Sequence, residues 1–487
     1  MRLNLLLDPE VQLANSGGAD PEISGVTSNS RDVVKGSLFA ALAGAKHDGK
    51  AFVGEALRNG ASAILAAPGL DLPAGVPYVV AKNPRRAFAR AAARFHGAQP
   101  ATVVAVTGTS GKTSVASFAR QIWATLGRKS ASLGTLGLIA PHRERYGSLT
   151  TPDPAALHKD LAELAAEGVT CVAMEASSHG LDQCRLDGVK LHAAAFTNFS
   201  RDHLDYHPTM DAYFAAKKRL FDALLPRGAV AVLNADIPEF AALEAACAAR
   251  GLRIASYGRA GKDLRLLSAT PVPGGQDVEI EAYGAKHRFL LPLAGAFQTM
   301  NALAAAGLVV GSGAAPMDAI GALAKLQGVP GRLERAGTRK NGAAIYVDYA
   351  HKPDALATVL AALRPHVAGR LHVVFGCGGD RDPGKRPMMG KIAAEGADRT
   401  IVTDDNPRTE DPASIRAAIL SAAPGAVEIS PREAAIREAV AALEAGDVLA
   451  ICGKGHETGQ IVGLETHPFD DRVEARKAIE LADGGPA

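Results

Sequence analysis

Gly108-Thr109-Ser110-Gly111-Lys112-Thr113-Ser114 follows an apolar run and opens a helical pattern. Glycines there let consecutive backbone N–H groups converge on phosphate oxygens, and the helix N-terminus adds positive potential. Lys112 is placed to reach β- and γ-phosphates, and the Thr113 hydroxyl to hold Mg²⁺. The full G-x-x-x-x-G-K-[ST] pattern is not met, because Val106 stands where its first glycine belongs. The segment reads as a shortened phosphate loop; the alternative is an ordinary strand-to-helix turn. Glu175, in Glu175-Ala176-Ser177-Ser178-His179-Gly180-Leu181, closes a second apolar run, where a carboxylate suits a hard divalent cation or caps a helix. Asn198-Phe199-Ser200-Arg201-Asp202-His203-Leu204-Asp205-Tyr206-His207 follows a third. Lys217 lies on a helical pattern and, by residue type alone, is a solvated helix lysine. Further along, Arg381, Asn406, Arg408 and Glu457 each follow an apolar run. Guanidiniums clamp carboxylates bidentately and a carboxylate takes an ammonium, so this set suits an amino acid with a second charged end. Surface salt bridging is the competing reading.

The elements that must position these residues alternate. Apolar runs at 102–106, 170–174, 193–197 and 229–233 are interleaved with helical patterns such as 112–126 and 154–167. Runs at 344–347, 371–375, 400–403 and 448–452 repeat the scheme. Such alternation predicts α/β architecture with parallel sheets, whose ligands sit at the carboxyl ends of the strands. Joints at 95–100 and 326–332, the second rich in Gly and Pro, divide the 487 residues into 1–97, 98–330 and 331–487. The chain is 47% hydrophobic and 21% charged, which excludes a disordered or collagen-like polymer. A net charge of +2 gives no global field for nucleic acid or anionic lipid, so an anionic ligand must meet local charge. Neither a nucleic acid nor a membrane partner is expected. Five cysteines without a C-x-x-C pair read as free thiols of a reducing cytosol. The opening Met1-Arg2-Leu3-Asn4-Leu5-Leu6-Leu7-Asp8 is too short an apolar run for a signal peptide, so a cytoplasmic protein is expected.

The shortened loop resembles the ATP-binding loop of the Mur ligase family, whose relatives include folylpolyglutamate synthases. The resemblance runs along the chain in order, and the Glu175 segment, 405–408 and 453–457 carry much of its specificity. It implies three domains: a smaller N-terminal α/β substrate domain (1–97), a central P-loop-type parallel-sheet ATPase domain (98–330) and a C-terminal Rossmann-like domain that binds the incoming amino acid (331–487). It implies an ATP-dependent amide ligase of peptidoglycan precursor synthesis, acting through an acyl phosphate and so serving cell shape and division. ATP would be bound by residues 108 to 114, Asn301, Arg332 and Asp348, although Asn301 reads equally as a helix cap. Lys112, Glu175, His203 and Lys217 would be catalytic. Mg²⁺ would be held by Thr113, Glu175, His203 and Lys217, the last carbamylated by CO₂ as in the family's Ala-Lys-x-x-Leu helix; Asp202, Asp205 and His207 would orient the loop. UDP-N-acetylmuramoyl-L-alanyl-D-glutamate would meet Ser30, Ala45, Lys46 and His47 in the first domain, then Thr150, Thr151, Ser177, Gln183 and Arg185 in the second. Ser30 is otherwise a turn serine, and Leu149 departs from the asparagine common at its position. Asp405-Asn406-Pro407-Arg408 matches the signature of family members that add meso-2,6-diaminopimelate, whereas lysine-adding members lack that arginine. Diaminopimelate would contact Arg381, Asp405, Asn406, Pro407, Arg408, Gly453 and Glu457, and a monomer is expected. Two other readings stand beside this one. A folylpolyglutamate synthase shares the loop but has no reason to carry the two-ended amino-acid pocket. An ATP-driven conformational switch predicts turnover indifferent to any amino acid.

Overall fold

A computed structural model describes residues 1–9, 11–14, 19–44, 48–147, 149–272 and 274–484. Ala45, Lys46 and His47, three expected contacts of the uridine nucleotide, lie outside the described residues. The chain forms two compact units, residues 1–265 with 302–322, and residues 266–301 with 323–487.

The first unit carries two sheets. Gly25–Thr27, Ser37–Ala40, Ala63–Ala66 and Tyr78–Val80 run parallel, with Gln12–Ala14 added antiparallel at one edge. Strand alternation divides the apolar run of Ser37–Ala40: Leu38 and Ala40 meet Phe88 of the helix Pro84–His96, whereas Phe39 faces Val53 and Ala56. The second sheet orders its parallel strands Ser130–Gly134, Cys171–Glu175, Thr102–Thr107, Leu191–Phe196, Val230–Asn234 and Arg253–Gly258. These are buried on both faces, so near-continuous apolar sequence is what they require. Val103 and Ala105 pack with Leu157, Leu161 and Leu164 of the helix Pro154–Ala166. The chain runs from Thr102–Thr107 past a vacant place to Ser130–Gly134, returns to fill it with Cys171–Glu175, then crosses to the far side of Thr102–Thr107. That reversal opens a crevice at the carboxyl end of Thr102–Thr107, where the phosphate loop begins. Gly137–Ala140 and Arg143–Arg145 extend the sheet antiparallel. The apolar-run pattern does not anticipate them, because Gly137–Ala140 is only four residues long and the edge strand Arg143–Arg145 is polar and largely exposed.

The second unit is built on the sheet Glu334–Thr338, Ala344–Asp348, Val448–Cys452, Leu371–Phe375, Arg399–Val402 and Val427–Glu428, parallel except for the first strand. Val373 and Phe375 pack with Leu356, Leu360, Met389 and Ile419 on one face. Val374 turns to the other face, with Ile436, Ala439 and Ala478. Val448–Cys452, last of these strands but one in the sheet's middle, again creates a topological reversal beside Ala344–Asp348. A two-stranded hairpin, Gly275–Ala282 with Ala285–Leu291, precedes this sheet in the chain. Its alternating burial is a period-2 pattern distinct from the continuous apolar runs.

Candidate active site

The phosphate loop joins Thr102–Thr107 to the helix Lys112–Thr125. Gly108 and Gly111 have φ of +143° and +86°, which L side chains resist. A Cβ on Gly108 would also lie 1.9 Å from the Thr197 hydroxyl, so the strand end and its neighbour can approach only at glycine. Lys112 Nζ folds back over the loop and donates to the carbonyls of Gly108 and Thr109, both at 2.9 Å. Lys217 Nζ donates to the same Gly108 carbonyl at 2.7 Å. Lys217 is only 1% exposed, which corrects the solvated-lysine reading made from residue type alone. Its helix, Met210–Arg219, turns Tyr213, Ala216 and Lys217 inward, and the Lys217 ammonium stands 4.5 Å over the Tyr213 ring. Burial, and then the neighbouring Lys112 charge, push Lys217 well below the usual lysine pKa, with Asp202 opposing. The Tyr213 hydroxyl lies 3.3 Å from Thr109 Oγ1, tying this helix to the loop.

Glu175 ends the strand beside Thr102–Thr107 and pairs in register with Val106. It is 2% exposed, and its two oxygens accept from Thr135 N at 2.7 Å and Thr135 Oγ1 at 3.2 Å. Among the described residues no cationic side chain lies within ion-pair distance of it. A buried carboxylate without a cation fits a bound Mg²⁺, as do the hard oxygen donors of Thr113 and Glu175. Among the described residues no group of three or more His, Cys, Asp or Glu side chains is gathered to hold a metal ion. His203 projects from a left-handed backbone position (φ +54°), 3.6 Å from the Asp202 carboxylate, with its ring 4.9 Å from that of His179.

The expected dipeptide contacts of the central domain form one hydrogen-bonded group. Thr151 Oγ1 donates to the Glu175 carbonyl at 2.9 Å and accepts from Ser177 N and Oγ at 3.0 Å. Thr150 Oγ1 is 3.2 Å from Thr135 Oγ1. Arg185 donates to the Thr151 carbonyl at 2.7 Å and to Gln183 Oε1 at 2.7 Å. Gln183 Nε2 reaches the Tyr206 hydroxyl, which donates to Asp182. The His179 ring packs on Tyr206 at 4.0 Å, and the buried His207 packs on Tyr213 at 5.2 Å. Thr135, His179, Tyr206 and Tyr213 therefore hold the group together, though none stood among the expected site residues. Only a hydroxyl or ring among the polar residues after a strand signals them. Ser30 is engaged elsewhere: its hydroxyl donates to Glu55 at 2.7 Å and its carbonyl accepts from Asn59.

In the second unit, Asn301 is not a helix cap, since it lies inside the helix Ala296–Gly311. Its amide donates to Gln298, whose amide donates to the Arg332 carbonyl. Asp348 accepts from Leu333 N at 2.6 Å and Ala350 N at 2.8 Å; burial raises its pKa to about 6 against the pull of Arg332 and these two N–H groups. The Arg332 guanidinium stacks 4.8 Å over Tyr349, and the Tyr349 ring packs on His456 at 4.9 Å.

That tyrosine stands beside the amino-acid residues. Asn406 Nδ2 donates to Glu457 Oε2 at 2.9 Å. Lys454, fully buried, donates to Asn406 Oδ1 at 2.9 Å and to Glu457 Oε2 at 3.3 Å. Arg408 has φ +52° and donates to the Gly379 carbonyl at 2.7 Å. Gly379 N in turn donates to the Asn406 carbonyl, laying the loop after Leu371–Phe375 against Pro407. Gly453 (φ +119°) brings its backbone against the Asp405 carboxylate, where a Cβ would sit 3.0 Å from an oxygen. Asp405 is thus buried behind the pocket, its pKa raised by desolvation while Arg432 and Lys454 oppose. Arg381 is exposed and donates to the Asp380 carbonyl; the structure does not bond it to Asn406 or Glu457. Sequence reasoning missed Lys454 and Tyr349 as site residues.

Models of the Mur ligase family catalytic domain, the Mur ligase middle domain and the Mur ligase glutamate ligase domain match residues 22–96, 106–309 and 331–455. The chain belongs to the Mur ligase family. A Caulobacter vibrioides protein named UDP-N-acetylmuramoyl-L-alanyl-D-glutamate–2,6-diaminopimelate ligase is 57% identical over 470 residues, 95% of this chain and 97% of its own. A Mesorhizobium japonicum protein of the same name is 56% identical over 467 residues, 95% of this chain and 96% of its own. A solved structure described under that name has a TM-score of 0.73 at 34% identity, covering 94% of this chain and 95% of its own. The Thermotoga maritima MurF ligase with ADP (TM-score 0.62, 20% identity, 94% and 97% covered) shares the fold. So does the Mycobacterium tuberculosis folylpolyglutamate synthase with ADP (TM-score 0.61, 17%, 83% and 95%). As a Mur ligase the protein is an ATP-dependent, amide-forming enzyme with the α/β fold of that family.

Proposed function

We propose that this Mur ligase adds meso-2,6-diaminopimelate to the D-glutamate γ-carboxylate of UDP-N-acetylmuramoyl-L-alanyl-D-glutamate, in peptidoglycan precursor synthesis. One observation carries the reading: Asn406 and Glu457 share one buried lysine, and Arg408, two residues on, is tied to the neighbouring Gly379 carbonyl, offering donors for a carboxylate and a carboxylate for an ammonium. A substrate charged at both ends satisfies both, and lysine, with no distal carboxylate, leaves Arg408 without a task. Relatives bearing the diaminopimelate name along nearly their whole length support it.

A carboxylate is a poor electrophile, so the γ-carboxylate oxygen first takes the γ-phosphoryl group of ATP, releasing ADP. The amine of diaminopimelate then attacks the acyl carbon, and collapse of the tetrahedral intermediate expels phosphate and leaves the amide. Lys112 and the backbone amides of the phosphate loop hold the transferring phosphoryl group and offset the repulsion between two anions. Asn301, Arg332 and Asp348 contact the nucleotide, while Thr150, Thr151, Ser177, Gln183 and Arg185 receive the dipeptide. Thr113, Glu175, His203 and Lys217 would hold Mg²⁺, which would supply charge neutralisation during phosphoryl transfer. Lys217 serves as a carbamate: its neutral amine adds to CO₂, an N–C bond forms, one N–H proton leaves to solvent, and an anion faces Lys112. Burial against a second lysine supports this, because two adjacent ammoniums are costly there.

The division of labour is 1–97 for the uridine nucleotide, 98–330 for ATP and 331–487 for the amino acid. A cytoplasmic monomer completes the proposal; among the described residues no helix is long and apolar enough to cross a membrane. Phosphate release should require the UDP-muramoyl dipeptide and diaminopimelate together. Equal rates with lysine would overturn the substrate assignment, release with folate and glutamate would favour the folate reading, and amino-acid-independent turnover would favour a switch.

A further inference from the structure

The buried ammonium of Lys454 touches both polar groups of the amino-acid pocket, yet it is fully shielded from solvent and stands behind them. Asn406 Oδ1 accepts from Lys454 Nζ at 2.9 Å and from Ile461 N at 2.9 Å. Both partners are donors only, so they fix which end of the carboxamide is oxygen. With both lone pairs of Oδ1 engaged, the NH₂ group must face the pocket, where it already donates to Glu457 Oε2 at 2.9 Å. The same ammonium lies 3.3 Å from that oxygen and 3.9 Å from Asp405 Oδ1, a buried oxygen without a hydrogen-bond partner. One internal cation therefore serves two carboxylates and one amide, with Arg432 also offsetting the Asp405 charge. Without it Ile461 N alone holds the amide oxygen, and Asp405 and Glu457 repel each other with less compensation.

We propose that Lys454 is a positioning residue for amino-acid selection: by saturating Asn406 Oδ1 it makes Asn406 an obligate donor to a substrate carboxylate, and it holds Glu457 in place to accept the substrate ammonium. The proposal rests on reading this pocket as the amino-acid site. Lys454 touches no reacting atom, so its loss should act on amino-acid binding far more than on turnover. Two variants of the full-length enzyme test it, each assayed by phosphate release with diaminopimelate varied and the other substrates saturating. Lys454→Met keeps the stem and removes the charge; the diaminopimelate KM should rise roughly tenfold or more, with kcat and the KM for ATP little changed. Asn406→Asp keeps an acceptor for Lys454 and Ile461 but removes the donor, and should raise the same KM comparably even if Lys454→Met fails to fold. An unchanged KM in a folded Lys454→Met, or an Asn406→Asp enzyme of wild-type KM, would overturn the proposal. A wild-type enzyme that ignores diaminopimelate but uses another amino acid would instead refute the substrate reading, and the variants would then be measured with that amino acid.

Discussion

Gly134→Ala is a small change that should reach the chemistry through one carboxylate. Gly134 ends the strand Ser130–Gly134 beside the strand of Glu175, and its backbone is not left-handed, so alanine meets no conformational penalty there. The added Cβ would lie 2.1 Å from Glu175 Oε1 and 2.6 Å from its Cδ. Ordinary contact begins at 3.4 Å, so the carboxylate must withdraw by about 1.3 Å, the difference of the two distances. The Glu175 backbone is pinned by pairing with Thr102–Thr107, which leaves the side chain as the part that yields. Crowding of this kind costs ~1–3 kcal/mol of stability, too little to unfold a typical domain. A catalytic group displaced by about 1 Å can cost roughly a hundredfold in rate. The assay is phosphate release at saturating substrates across a Mg²⁺ titration, with thermal unfolding alongside. Turnover should fall by roughly a hundredfold and the Mg²⁺ requirement should rise, with the protein folded. A folded variant with wild-type turnover at every Mg²⁺ concentration would refute both the role of Glu175 and the idea that Gly134 exists to make room for it.

Lys217→Ala should abolish ligation while leaving the unfolding transition in place; wild-type activity would mean that no carbamate serves the reaction. Arg408→Ala should raise the diaminopimelate KM roughly tenfold to a hundredfold with a smaller effect on kcat, as expected for a charge-assisted bond to a distal carboxylate; an unchanged KM would remove Arg408 from the pocket. His158, 1% exposed with its pKa pushed down to about 4 by burial, takes a proton in the unfolded chain before the folded one does. Stability should therefore fall as pH drops from about 6.5 toward 4, by up to ~3 kcal/mol from this group, and His158→Gln should flatten that slope in pH-dependent unfolding. A variant whose slope matches the wild type would show that His158 protonates freely in the folded state.

What the sequence made legible follows from how local the determinants are. The phosphate loop is contiguous, and its glycines and lysine act largely through their own backbone, so residues 108 to 114 could be read directly. The strand ends carrying Glu175, Asp348, Asn406 and Gly453 were legible because buried parallel strands announce themselves as unbroken apolar runs. Lys217 was misread from its type alone, since burial belongs to the helix face it shares with Tyr213 and Ala216 rather than to the residue. Thr135 and Lys454 were missed for a related reason: each earns its place through a partner tens of residues away, Glu175 in one case and Asn406 in the other. Arg381 differs from these: it sits exposed at a strand end and bonds the Asp380 carbonyl, outside the Asn406, Lys454 and Glu457 set.

The two half-reactions place opposite demands on the backbone, and the glycines show how both are met. Amide N–H groups and carboxylates must converge more closely than side chains with a Cβ allow. Gly108 meets Thr197, Gly134 meets Glu175, Gly180 meets Thr151, and Gly453 meets Asp405, each at a distance a Cβ would close or crowd. Rigid strands fix those approaches, while His203, Leu333 and Arg408, all left-handed without being glycine, hold strained turns within their own units. Strain of that kind persists only where the surrounding bonds over-determine it, as the paired backbone of Arg408 with Ile461 and Gly463 does. Adding a single methyl at one of these glycines should then disturb catalysis more than folding, because the strands that resist the shift are the same ones that keep the fold intact.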